Sequence, residues 1–371
     1  MKGFDLKQLL SESLSYPSGD NCQPFKFAIV GPNTFEIYHD VGVAKHRLNA
    51  NHLASYLSFG TLLETLSLVA GKMATDIEID FHLESEPRRG PLQKWATVRC
   101  RELHDKWPSP YDEDLFAALK KREVNRSLYQ SEGVLPGDVS WLLQEAEAAG
   151  LTFTFQSKVA PGLKTKILKL EEEAWKDSEL TRDLLKWVRF DSKTALESRD
   201  GLTWKSLILP FTHKPLLKLF SKFPKVYKFV AKLGATKGNR VVLKNQIEHS
   251  TGFGWFSLSS HHPIAIVNAG RCAFRMWLYL NGRGYAFQPL TICTLPIYQN
   301  HFDLLPADWS PRLKRLYPEI LEAMRETRVL PEGHFPVWGF RTGRAAPLPD
   351  AARCLRKNLE QLLVTSLRVS S

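Results

Sequence analysis

Two prolines bracket the turn of this chain that is richest in chemistry. In Tyr16-Pro17-Ser18-Gly19-Asp20-Asn21-Cys22-Gln23-Pro24-Phe25 a hydroxyl, an amide and several backbone N–H groups are offered from a loop stiffened at both ends. Such a loop suits a ligand with a polar edge and a hydroxylated chain. The plainer alternative is a helix-capping turn in which Asn21 bonds its own backbone. A second string, Arg122-Glu123-Val124-Asn125-Arg126-Ser127-Leu128-Tyr129, sets two arginines four residues apart. On a helix they would share one face, and a planar guanidinium fork suits a phosphate or a ligand carbonyl. Two later strings stand out, Gly284-Tyr285-Ala286-Phe287-Gln288-Pro289-Leu290-Thr291 and Trp338-Gly339-Phe340-Arg341-Thr342-Gly343-Arg344-Ala345.

These strings must be positioned by regular elements. A helix over residues 4–14 runs into the turn, and alternating segments at 25–30 and 34–39 read as a hairpin. Apolar residues at helical spacing from Leu53 to Met73 predict a helix buried on most sides, followed by strands at 77–83 and 94–100. A helix near 137–149 and a strand at 151–155 come next. Lys164 to Val188 reads as one long amphipathic helix whose run Glu171-Glu172-Glu173 is expected to be a solvated face. A strand at 252–258 precedes a second very apolar helix, Ile264 to Leu280, closed by Asn281-Gly282-Arg283-Gly284. Laying Gly60 on Gly270 puts Leu57 on Val267 and Leu68 on Leu278, the pattern of a degenerate internal repeat.

With 371 residues, 43% of them hydrophobic and 24% charged, the chain has an ordinary globular composition, which excludes wholesale disorder. Its five cysteines are odd in number and irregularly spaced, which points to reduced thiols rather than a disulfide framework or a metal knuckle. His261-His262 lacks a third ligand at useful spacing, so no metal is expected. The N-terminus lacks the apolar core of a secretory signal, and no stretch is expected to cross a membrane. Neither a Ser-His-Asp arrangement, nor a phosphate loop, nor a dinucleotide fingerprint is present. The net charge of +11 is concentrated between Gly201 and Ile247, which holds ten Lys/Arg and no Asp or Glu. Within it, Leu216 to Leu233 alternates lysine with apolar residues, and Pro224 divides it into two short helices. The favoured reading is a lid over the ligand; attachment to an acidic lipid surface is the other, disfavoured because Pro224 interrupts a continuous face.

The first string resembles the Pro-Ser-x-x-Asn-x-Gln-Pro-Trp signature of the nitroreductase superfamily of flavoproteins. The second is similar to the superfamily's Arg-x-Ser/Thr-Asn-Arg-x-Pro-Phe/Tyr element, with Val124 and Leu128 departing from it. The third resembles the Gly-Leu-x-x-x-Pro strand, and the fourth the C-terminal Arg-x-Gly strand. Because the turn precedes the arginine element, the order is that of single-chain Acg-type members, in which one polypeptide imitates a dimer; the likeness continues through Asp200-Gly201, while the Acg-type pattern is not recognisable between His39 and Asn51.

The resemblance implies one FMN held by Ser18, Asn21 and Gln23 from one half and by Arg122, Asn125 and Arg126 from the other. Arg122 would serve the phosphate and Arg126 the pyrimidine edge. The backbone at Gln288, Pro289 and Leu290 would approach flavin N5, and Arg341 or Arg344 would close over the phosphate; catalytic residues are not assigned. The fold implied is α+β, with a mixed, mainly antiparallel sheet in each half and two buried helices at the centre, pseudo-duplicated within one chain. Residues 1–118 form the first half and 119–371 the second, which carries the lid-like insertion 205–245. The expected function is an FMN-dependent oxidoreductase transferring hydride through N5, as reductase or biosynthetic dehydrogenase, with NAD(P)H as electron donor. The alternative is a protein that sequesters FMN with little turnover. A small-molecule substrate, no nucleic-acid partner, no stable membrane insertion, a monomer or weak homodimer, and a cytoplasmic location complete the expectations.

Overall fold

The computed structural model describes residues 5–83, 90–102, 110–209, 213–232 and 237–364. Helix α1 (Leu6–Ser13) is capped by Asp5, whose carboxylate accepts from the N–H groups of Lys7 and Gln8. It leads through the proline-bracketed turn to the hairpin β1 (Phe25–Gly31) and β2 (Thr34–Asp40), then to α2 (Leu53–Lys72), β3 (Thr75–Phe81), β4 (Leu92–Glu102) and α3 (Pro110–Ala118). Helix α4 (Pro136–Ala148) and strand β5 (Thr152–Gln156) begin a second set. A long excursion follows through α5 (Pro161–Lys176), α6 (Ser178–Lys186), β6 (Val188–Arg189), α7 (Ser192–Ser198), β7 (Leu202–Thr203), α8 (His213–Lys222), α9 (Pro224–Lys232) and α10 (Lys237–Glu248). The chain returns as β8 (Gly252–Leu258), α11 (Pro263–Gly282), β9 (Tyr285–Pro289), α12 (Leu295–His301), α13 (Pro311–Glu326) and β10 (Phe335–Arg344).

Both large sheets have four strands, antiparallel throughout, in the orders β1-β2-β4-β3 and β5-β8-β10-β9. Numbered by their own sequence order, both read first-second-fourth-third. Each has a long helix, α2 or α11, between its second and third strands, and a shorter one, α1 or α4, before its first. The molecule is thus α+β, as expected.

Helices α2 and α11 cross at the centre with their backbones in contact. A Cβ on Gly60 would overlap the Val267 carbonyl, and one on Gly270 would overlap the Leu57 carbonyl, so only glycine permits this approach. The two contacts are reciprocal under the alignment that pairs Gly60 with Gly270 and Leu57 with Val267. Phe25, Phe27 and Ile37 of the first sheet and Phe256, Phe287 and Phe340 of the second join the helix pair in one continuous core. A buried carboxylate on α2, Glu64, is held by Arg271 and Arg275 of α11 at 3.0 and 2.9 Å, which satisfies a charge that burial alone would destabilise.

Four local expectations are revised. The helix α2, with the turn before it, is long and apolar enough to cross a membrane, but its most apolar window is 83% buried inside this core. The expected 164–188 helix breaks at Asp177, whose carboxylate caps α6 by accepting from Glu179 and Leu180 N–H. Glu171 to Glu173 are half-buried rather than solvated: Glu171 accepts from Trp175 Nε1 at 2.7 Å, and Glu172 pairs with Lys176 and Arg240 at 3.0 and 3.1 Å. Residues 122–126 are irregular, not helical.

Candidate functional site

A cavity of about 450 Å³ lies between the proline-bracketed turn, the N-terminal part of α2, the middle of α11 and the segment after β10. That volume falls in the range of cofactor sites. The turn that forms one wall is built from distant pieces. Asp20, Asn21 and Gln23 all have positive φ, at 47°, 56° and 52°, conformations that non-glycine residues hold only when their surroundings impose them. Ser18 Oγ accepts from Gln23 N–H at 2.9 Å, and Thr61 Oγ1 of α2 donates to the Pro17 carbonyl at 2.7 Å. Asn21 Nδ2 donates to the carbonyls of Gly201 and Leu355, each at 2.9 Å. Gln23 Nε2 donates to the Arg199 carbonyl at 2.9 Å while its Oε1 accepts from Lys357 N–H at 2.8 Å. Gly201 sits at φ 72°, where a Cβ would overlap the Trp187 carbonyl, so Asp200-Gly201 is a backbone fitting for this junction.

The strap that reaches the turn from the C-terminal side passes on to add Leu363 beside Phe27 at the edge of the first sheet. Asp200 locks it: the carboxylate bonds Arg189 and lies 3.2 Å from Lys357 Nζ.

Four arginines, Arg122, Arg126, Arg353 and Arg356, line the cavity against the carboxylates Asp20 and Glu123. Arg122 donates only a long bond, 3.3 Å, to the Ser15 carbonyl and lies 5.0 Å over the Trp277 ring. Burial, then the repulsion of Arg356 and Arg353, pushes Arg122 down to about 9; burial also lowers Arg126 and Arg356. Arginine stays protonated in proteins, so burial leaves these guanidinium charges poorly solvated. Buried atoms without a hydrogen bond gather here too: Arg122 Nε, Arg356 Nη1, Asn21 Oδ1 and Ser15 Oγ, while Arg353 is ion-paired with Asp350 and Glu123 at 3.6 and 3.7 Å. Buried polar atoms are ordinarily bonded, so the cluster marks a place for an anion with further polar groups. The rest of the wall is apolar and aromatic, including Leu57, Ala273, Phe274, Trp277 and Trp338, with Trp187 and Leu202 on another side.

One ionisable pair faces the same space. His46 Nε2 lies 3.5 Å from Asp20 Oδ2 without a hydrogen bond, and His46 Nδ1 accepts from Leu48 N–H. Burial raises the Asp20 pKa, opposed by His46 and Arg126, so this pair can hold or pass a proton. Cys22 is pushed up to about 12 by burial and stays a thiol.

Of the residues expected to bind the cofactor, Ser18, Asn21, Arg122, Arg126 and Pro289 line the cavity. The others are placed elsewhere. Gln23 braces the turn from behind. Asn125 is fully buried; its Oδ1 accepts from Ser127 N–H and Oγ at 3.0 and 2.6 Å, and its Nδ2 donates to the Ala346 carbonyl. Arg341 points to the opposite face of β10 from the core residue Phe340, as strand alternation requires. There its guanidinium lies 4.0 Å over Tyr129 and bonds Gln288 Oε1 and the Ser127 carbonyl at 2.7 and 2.9 Å. The Gln288 side chain is thereby spent on Arg341, and its backbone, the part expected near the flavin, pairs with Arg341 in the β9–β10 ladder. Leu290 packs into a second core with α5 and α13, and Arg344 stacks 4.0 Å over Tyr285 at the strand end. Among the described residues, the basic segment 205–245 contributes Ser206 alone to the wall, and Arg126 donates to its carbonyl at 2.9 Å. Cover on that side comes from Trp187, Leu202 and Ser206 rather than from α8 and α9. Sequence reading missed Arg353, Arg356 and His46. An Arg-x-x-Arg pair was visible, but nothing local said that it folds back onto the first half.

No family model and no curated protein matches the chain. Among solved structures, the FMN-dependent nitroreductase NfnB from Mycobacterium smegmatis, in complex with NADPH, is similar over 68% of this chain and 98% of that chain, at 13% identity and a TM-score of 0.35.

Proposed function

We propose that the chain is an FMN-dependent oxidoreductase of the nitroreductase type and that this cavity is its flavin site. The observation that carries the reading is the pair of buried guanidinium nitrogens without a hydrogen bond, on Arg122 and Arg356, in a cavity whose other walls are largely apolar and aromatic. The residues fit the group. The arginines supply the charge that a phosphate needs, Ser18 and Asn21 supply polar contacts, and Leu57, Phe274 and Trp277 supply surface for a flat ring system. Bound FMN supplies two-electron chemistry in which hydride passes through N5. The chain's part is to bind and orient, to exclude water with Trp187 and Leu202, and to hold a proton on the Asp20–His46 pair. NAD(P)H is the proposed electron donor.

We further propose that the two halves arose by internal duplication. The shared strand order, the matching helix positions and the reciprocal glycine contacts support this. Only the first half has a long turn ahead of its first strand: Leu14 to Pro24 separate α1 from β1, whereas Ala149 to Leu151 separate α4 from β5. The proposal is therefore one flavin per chain, in a site that needs no second subunit.

The absorption spectrum of freshly purified protein, with chromatography of any released chromophore, tests the reading. Flavin bands and released FMN are expected; a colourless protein that takes up no added FMN would overturn it. Bleaching of the bound flavin by NAD(P)H separates turnover from sequestration.

A further inference from the structure

The basic hairpin α8–α9 leaves an apolar surface uncovered. Phe220, Tyr227 and Ala231 bury one side of the two helices in a small core with Leu185 and Val188. Tyr227 fixes the mount by donating to the Trp175 carbonyl and accepting from Thr181 Oγ1. Outside this core, Leu216, Leu219, Phe223, Val226 and Phe229 are 44, 42, 53, 40 and 65% exposed. Five large apolar side chains exposed on one helical hairpin beside lysines mark an interaction site. Exposed Lys218, Lys222 and Lys228 border it, within a segment, 201–247, that contains no acidic residue. Asp191, at the start of α7, is the neighbouring counter-charge near Lys214 and Lys218.

We propose that α8–α9 docks the protein on an anionic lipid surface, with these five apolar side chains entering the interface and the lysines meeting headgroup charge. A nucleic acid would satisfy the lysines and leave Phe223 and Phe229 in water. A bilayer interface takes both. Pro224 does not prevent the docking, because each short helix turns its buried residues into the same core and its remaining apolar residues outward. The proposal is independent of the flavin reading, since no described residue of either helix lines the cavity.

The test is co-sedimentation of the full chain with vesicles of phosphatidylcholine alone and of phosphatidylcholine mixed with phosphatidylserine. The expected result is binding to the mixed vesicles that weakens with salt and drops at least tenfold in the double variant Phe223→Ser/Phe229→Ser, which keeps every charge. Equal binding to both vesicle types, binding to neither, or mixed-vesicle binding unchanged in the double variant would each overturn it; the last would mean a surface that takes any polyanion. Because both phenylalanines are exposed, an unchanged melting curve is expected and checks that the variant is folded; if it is not, Lys222→Glu/Lys228→Glu must produce the same tenfold loss.

Discussion

Arg122 and Arg356 hold buried guanidinium nitrogens that no protein group satisfies, so their contribution should appear on ligand binding rather than on folding. A buried charge-assisted hydrogen bond contributes about 1.5–3 kcal/mol. Arg122→Ala and Arg356→Ala should therefore each raise the Kd for FMN roughly tenfold to a hundredfold in a flavin-quenching titration, with little change in Tm. Arg341→Ala should do the reverse, lowering Tm and leaving FMN affinity nearly unchanged, because its donors are spent on Gln288, Ser250 and backbone carbonyls. Asp20→Asn should retain FMN and slow steady-state turnover by about a hundredfold or more, the scale of general acid–base catalysis. The strings containing Asp20 and Asn21 and, separately, Arg122 were legible in the sequence because each is a local pattern. The exclusion of Arg341 was not legible, since it depends on which face of β10 meets the central helices.

The α2–α11 crossing and the C-terminal strap decide whether the site exists. Gly270→Ala places a methyl group against the Leu57 carbonyl, and forcing the helices apart should cost about 1–3 kcal/mol or more, read as a lowered denaturation midpoint. Gly137→Ala, on α4 with open space around it, should be neutral or slightly stabilising. The strap has an acid-sensitive lock at Asp200. Burial raises this carboxyl, but the hydrogen bond and charge of Arg189 and the charge of Lys357 outweigh it and hold the pKa below the ordinary value. A carboxyl depressed on folding stabilises above its unfolded pKa of about 3.9, and that stabilisation is lost as pH falls through the folded value. Flavin release, followed by its fluorescence, should rise as pH drops below about 4, and Asp200→Asn should release flavin already at neutral pH.

The proposed flavin site draws on the turn before β1, the arginine string, the middle of α11 and the strap after β10. Ending the chain at Pro349 removes Arg353 and Arg356 together with Leu355 and Lys357, one backbone partner each of Asn21 and Gln23. Such a variant should keep most of its far-UV circular dichroism and lose FMN binding, and the full chain should titrate with one FMN per polypeptide.

While the α+β class came from the family resemblance, local pattern determined a great deal: the two apolar helices, the first hairpin, the division of Leu216 to Leu233 at Pro224 and the polar turn. Each depends on side-chain period or on turn residues whose preference acts within a few positions. Tertiary structure alone decided that α2, apolar enough to cross a membrane, is a core helix, that Gly60 and Gly270 meet the opposite backbone, that α8–α9 lies away from the cavity, and that Arg353 and Arg356 join Arg122 across more than two hundred residues of sequence. The reason is physical. Charge concentration in a cavity and the approach of two backbones are properties of elements brought together by a shared core, and no periodicity within one element encodes its neighbour.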